Sequence, residues 1–181
     1  MWNIFKTLKP GKKTIGFSAV IVAGAAIGGP ITLHHEGVRL QPYYDSVGVL
    51  TWCGGETEVG YKTNFTHKEC SDLFLMRYGY YSQRTSLFYN DTAKKIITPQ
   101  IHAALTDMSY NVGIPTVEKS TMIKKLNEGN ALAACDAMLL YKYAGGRDCS
   151  KDKGNPKGCY GVWDRRLKMN KLCKEGISNE L

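Results

Sequence analysis

The stretch that decides the reading runs His34-His35-Glu36-Gly37-Val38-Arg39-Leu40-Gln41-Pro42-Tyr43-Tyr44-Asp45-Ser46-Val47-Gly48-Val49-Leu50-Thr51. It sets two carboxylates, Glu36 and Asp45, nine residues apart, with the hydroxyl of Thr51 six residues further on. Cleaving a glycosidic bond needs one protonated carboxyl to give its proton to the leaving oxygen. It also needs one charged carboxylate to activate water or to stabilise the oxocarbenium-like transition state. Taken alone, two acids at this distance in a polar segment are more often surface charges.

Upstream lies a segment of different character. Thr14 to Leu33 contains no charged residue, and Lys6, Lys9, Lys12 and Lys13 precede it. Twenty residues is about the length of a bilayer-spanning helix. Eight are strongly apolar (Ile15, Phe17, Val20, Ile21, Val22, Ile27, Ile31, Leu33), which gives about 2.5–5 kcal/mol of insertion free energy before penalties. Most of the rest are Ala or Gly, and Pro30 interrupts the end. The segment inserts weakly, and the lysines favour a cytoplasmic N-terminus with residue 34 onward outside. Its length, and glycines and alanines spread around every face, argue against a buried soluble helix. Ala23-Gly24-Ala25 also offers a small-x-small site for a secretory signal peptidase. The chain therefore divides into an N-terminal segment, 1–33, and a catalytic-sized domain, 34–181.

Downstream, residues 34–65 read as a short helix followed by a small β-hairpin region. Thr66-His67-Lys68-Glu69 is a capping box opening a long helix, with Cys70, Leu73, Phe74, Tyr80, Tyr81 and Leu87 among its apolar contacts. Thr98-Pro99 starts another helix, with Ile101, Ala104, Leu105 and Met108 on one face. Further helices are expected over Ser120–Asn127, from Asn130 to about Tyr143, and over Gly161–Lys174. The fold class is α+β and mainly helical: a small N-terminal β-hairpin lobe, a long connecting helix and a helical C-terminal lobe. Cys53, Cys70, Cys135, Cys149, Cys159 and Cys173 all fall on the outer side of the membrane segment. An even count in an exported domain reads as a disulfide framework, and six cysteines allow fifteen pairings. No C-x2-C spacing and no recurring His partner suggest zinc, so neither a metal nor a cofactor is expected.

Glu, eight residues, Asp, five residues, Thr, within H-E-G-x-R-L-x-x-Y-Y-D-x-x-G-x-x-T, closely resembles the catalytic segment of the phage-type lysozymes (glycoside hydrolase family 24). Four further stretches follow that family's order: Tyr110-Asn111-Val112-Gly113; Ser120-Thr121 with Lys124, Lys125, Asn127 and Gly129; Tyr143-Ala144-Gly145-Gly146; and Gly161-Val162-Trp163-Asp164-Arg165-Arg166. The resemblance covers nearly all of residues 34–173. It implies a lysozyme-like fold and hydrolysis of the β-1,4 bond between N-acetylmuramic acid and N-acetylglucosamine in peptidoglycan. By position, Glu36 is then the general acid, while Asp45 and Thr51 hold the attacking water in a single-displacement, inverting reaction. Tyr110, Ser120 and Arg166 match positions implied to meet substrate, although aromatic and Ser residues at helix ends also serve as packing and caps. Of the pair Arg165-Arg166, one is implied to reach towards Glu36 or the substrate; the other reading is a solvated basic face. The sequence departs from the family at Glu56, where relatives usually carry His, and at Met169, where they often carry Glu. Glu56 reads as a changed contact on the hairpin or as a third carboxylate near the site, and His34 and His35 as an exposed linker or as groups that tune Glu36 near neutral pH.

The membrane stretch ends three residues before Glu36, and three residues span at most about 10 Å. This resembles the signal-anchor-release endolysins of phages infecting Gram-negative hosts. Their weakly apolar segment leaves the membrane when the potential collapses, and the enzyme refolds into its active form. Some relatives carry a cysteine in that segment; this chain has none there, which implies control by topology alone. The expected locations are the host inner membrane, contacted through residues 14–33, and then the periplasm. The expected disulfides are Cys149–Cys159, Cys53–Cys70 and Cys135–Cys173. A cleaved-signal lysozyme and a non-catalytic, membrane-tethered wall-binding protein are the rival readings.

The formal charge is +8, from 24 basic and 16 acidic residues. The four lysines before residue 14 carry half of that excess, leaving +4 on the exported part, which suits an acidic wall polymer. A nucleic-acid partner would need a basic stripe with interleaved aromatics, and none is present. The enzyme is expected to act as a monomer on peptidoglycan.

Overall fold

The computed structural model describes residues 16–44, 48–53, 57 and 64–178. Asp45, Glu56 and the four N-terminal lysines lie outside the described residues.

The membrane-length segment forms one helix, α1 (Phe17–Glu36), which runs without interruption through the two histidines to the proposed acid. No separate short helix follows it, and His34 and His35 occupy its last turn instead of a linker. Small residues do surround it, with Ala19 and Ala26 exposed, yet Gly24, Gly28 and Gly29 are buried against the rest of the protein. The buried positions are Val20, Gly24, Gly28, Gly29 and Thr32, a stripe recurring at intervals of four that ends at Glu36. Ala26 and Pro30 lie on the exposed face, so the carbonyl that Pro30 leaves without its helical partner opens to solvent.

Gly37 ends the helix. Its φ of 72° is a conformation that costs glycine little, and its amide donates to Leu33 O at 3.1 Å. The chain then enters β1 (Arg39–Tyr44), antiparallel to β2 (Leu50–Cys53), with Tyr43 opposite Thr51 and Arg39 opposite Cys53. The register shifts between those two pairs. Pro42, which has no amide to donate, falls in that irregular part.

Thr66 caps α2 (His67–Ser86) with the full capping box, its hydroxyl accepting from Glu69 N and the Glu69 carboxylate accepting from Thr66 N at 2.8 Å. The buried face of α2 is Cys70, Phe74, Tyr78, Ser82 and Thr85. Tyr80 and Leu87 are exposed instead of packed. After α3 (Asp91–Ile96), α4 (Pro99–Val112) starts at Thr98 and Pro99 as expected. Every residue of α4 from Ile101 to Ser109 is buried, because α1, α2 and the last helix all pack on it. It is the central post of the molecule.

Then come α5 (Ile114–Glu118), α6 (Thr121–Asn127) and α7 (Ala131–Ala137). α7 is shorter than the sequence suggested: a 3-10 turn at Met138–Leu140 replaces its end. A small hairpin, β3 (Tyr143–Ala144) and β4 (Arg147–Asp148), then leads through a second 3-10 turn to α8 (Tyr160–Ser178). Met169, a departure from the family pattern, lies in the apolar core, which suits its loss of charge. The three disulfides pair Cys53 with Cys70, Cys135 with Cys173 and Cys149 with Cys159. They tie β2 to α2, α7 to α8, and the two ends of the loop before α8.

Candidate active site

Glu36 occupies the last position of α1. Its side chain is 27% exposed, and its Oε1 accepts from Arg165 Nη1 at 2.7 Å. Arg165, on α8, turns its other edge inward to the fully buried Asp107 of α4. Its Nε lies 3.0 Å from Asp107 Oδ2 and its Nη2 lies 2.8 Å from Oδ1. Thr32, one turn before Glu36 on α1, donates its hydroxyl to Asp107 Oδ1 at 2.8 Å. The proposed acid is thus held by a chain of charge-assisted bonds through three helices, and two of its four members sit on α1.

Thr51 is buried on β2 and donates its hydroxyl to Val49 O at 2.9 Å. The oxygen keeps its lone pairs to accept from water. The β1–β2 pairing places Thr51 across from Tyr43, two residues before Asp45.

Of the two arginines, Arg165 is the one that meets Glu36. Arg166, expected at the substrate, is instead 1% exposed and donates to Tyr141 O at 3.0 Å and to Asn111 Oδ1. Its job is to tie α8 to α4 and to the segment after α7, and burial pulls its pKa down to about 10. Ser120 is likewise 5% exposed, and its hydroxyl caps α6 by accepting from Ile123 N at 3.2 Å. Tyr110 is half-buried among Phe74, Tyr78 and Tyr81, with ring centroids 4.9 to 6.3 Å away. It joins α2 to α4 as an aromatic cluster.

The same α1 stripe seals a second polar group. A Cβ on Gly24 would lie 2.7 Å from His102 Cδ2 and 2.9 Å from Pro99 O. His102 is fully buried; its Nε2 pairs with Ser82 Oγ and its Nδ1 with Tyr89 Oη, both at 2.8 Å. Burial pushes its pKa down to about 4 from 6.5. The native ring stays neutral down to about pH 4, whereas an exposed histidine takes up a proton near 6.5. The unfolded chain therefore binds more protons across that window, and stability falls as pH drops from 6.5 towards 4. The loss between pH 7 and 5 is about 2 kcal/mol from this group. Thermal melts should show a smaller drop in Tm over that interval for His102→Gln; an equal drop would remove His102 from the acid sensitivity.

The chain can now be set beside known proteins. A family model described as Phage lysozyme matches residues 33–173. The SAR-endolysin of Enterobacteria phage P21 is 33% identical over 136 residues, covering 74% of this chain and 80% of that protein. The SAR-endolysin of Bacteriophage PS119 is 34% identical over 134 residues, covering 74% of this chain and 79% of that protein. A crystal structure of a P22 lysozyme mutant superposes with a TM-score of 0.66 at 25% identity, covering 82% of this chain and 96% of that one. The family model over most of the chain, relatives at 33–34% identity and the shared fold agree: the chain belongs to the phage lysozyme family, and it is a glycoside hydrolase.

Proposed function

We propose that the protein is a phage endolysin that cuts peptidoglycan with inversion and is held inactive at the host inner membrane until α1 leaves the bilayer. Glu36 gives its proton to the glycosidic oxygen. Asp45 and Thr51 hold the water that attacks the anomeric carbon from the opposite face, and Asp45 takes the proton released by that water.

One observation carries the membrane half of this reading: the membrane-length helix and the proposed acid are a single element. α1 has 20 residues, about 30 Å of helix and enough to span the hydrocarbon core. While α1 spans a bilayer, Thr32 and the glycine stripe face lipid, Asp107 and His102 lose their cover, and Glu36 is parted from Arg165. The lysines before α1 favour a cytoplasmic N-terminus, which puts the catalytic lobe in the periplasm. Export also suits three disulfides. Substrate and location follow from this reading.

The test is N-terminal sequencing and a turbidity assay on purified peptidoglycan, applied to membrane and soluble fractions before and after the membrane potential is dissipated. The expected result is an intact N-terminus in both fractions, with activity confined to soluble protein that appears after dissipation. A soluble active form beginning after Ala25 overturns release and establishes a cleaved signal. An inactive soluble form favours a wall-binding protein.

A further inference from the structure

We propose that Asp107 is a positioning residue for the reaction, orienting Arg165 so that its outward nitrogen holds Glu36, and that Thr32 of the docking helix completes this arrangement. The inference rests on the reading of Glu36 as the acid.

An arginine on a long flexible stem does not by itself define where its charge sits. A guanidinium is planar, and a carboxylate that takes two of its nitrogens fixes the whole plane. Asp107 takes the Nε and Nη2 edge from the buried side, leaving Nη1 to point outward at Glu36. Asp107 is fully buried, and a carboxylate in that position persists in charged form only when its oxygens are paired. Arg165 and the Thr32 hydroxyl supply the pairing. The hydroxyl comes from α1, one helical turn from Glu36, so docking α1 delivers the acid and completes the support of its partner in the same movement. While Glu36 is ionised, one positive charge is shared between two carboxylates.

The groups around this cluster are His34 and His35 on α1, Arg166 and Lys168 on α8, and Tyr78 on α2. Removing the charge of Asp107 leaves the inner edge of Arg165 without its bidentate anchor, so the guanidinium plane that holds Glu36 is no longer fixed.

The experiment compares wild type, Asp107→Asn, Thr32→Val, Thr32→Ser and Glu36→Gln as purified, oxidised, full-length soluble proteins. Rates on purified peptidoglycan are measured from pH 4 to 9, and Tm is measured for each. For Asp107→Asn the expected result is a kcat lower by roughly 10–100-fold with KM within about twofold. Thr32→Val should lose about fivefold in kcat per folded molecule, and Thr32→Ser should recover it. A lowered Tm with unchanged kcat would mean that Asp107 only packs, and would overturn the inference. If Asp107→Asn does not fold, equal rates for Thr32→Val and wild type overturn it instead. Activity in Glu36→Gln overturns the reading of Glu36 itself, an outcome separate from either of these.

Discussion

Glu36→Gln is expected to abolish lysis: purified protein should lose about 10³-fold or more in turbidity clearance, within the range carried by a general acid. The substitution keeps the size of the side chain and an oxygen that can accept from Arg165. It removes the acidic proton that the leaving oxygen needs and the charge that pairs with Arg165. Arg165 retains Asp107, which contributes three of its four bonds within this cluster. The native state therefore loses one partly exposed pair, a contribution of about 0–1 kcal/mol. Tm should stay within a few degrees of wild type. The measurement is a pair: initial clearance rate on purified peptidoglycan and a thermal melt of the same sample. A folded variant with more than a tenth of the wild-type rate would remove Glu36 from its role.

The second large effect is expected at Gly28. A Cβ there would lie 2.1 Å from Tyr78 Oη and 3.3 Å from Ala103 Cα. Tyr78 has no room to retreat, since it is buried on α2 against Phe74 and its hydroxyl donates to Ala103 O. Gly28→Leu therefore holds α1 off α4, and Glu36, eight residues along the same helix, no longer reaches Arg165. Overpacking of this kind costs 1–3 kcal/mol where neighbours can yield, and more where a buried ring and backbone cannot. Soluble activity should fall about 100-fold or more, as expected when a catalytic group leaves its productive geometry. The control is Ala26→Leu, which adds the same apolar bulk on the exposed face. It should raise membrane retention as Gly28→Leu does, yet leave the rate of the soluble, released fraction near wild type. Equal rates for the two variants would show that α1 docking is not required for activity.

What the sequence made legible was whatever is written locally. Thr66 with Glu69, Thr98 with Ile101 and Ser120 with Ile123 are caps between residues three apart, so the helix starts could be read directly. β3 and β4 have two residues each, too few for any periodicity, and they were missed. The acid cluster was only half visible. Glu36 stood in a recognisable pattern, but its partner lies 129 residues away and the arginine's second anchor 58 residues away. Choosing between Arg165 and Arg166 required the phase of α8. Adjacent helical residues point about 100° apart, and only packing decided which faced α1. Asp107 did leave a trace, a lone charge among Ile101, Ala104, Leu105 and Met108. Thr32, Gly28 and Gly24 left a fainter one, because small residues mark a helix face by what they permit and not by hydrophobicity.

The unbroken course of α1 from Phe17 to Glu36 has a consequence for how this protein can vary. Under the proposed topology the side chains from Phe17 to Leu33 are judged by two solvents in turn. Lipid tolerates added bulk and rejects charge; the groove beside α4 rejects bulk and calls for a hydroxyl and a carboxylate. A substitution survives only where both judgements agree, so the freedom of this segment is the overlap of two narrow lists. Trimming it away to obtain a convenient soluble reagent would remove Glu36 and the Thr32 hydroxyl that supports Asp107 along with the membrane-length segment.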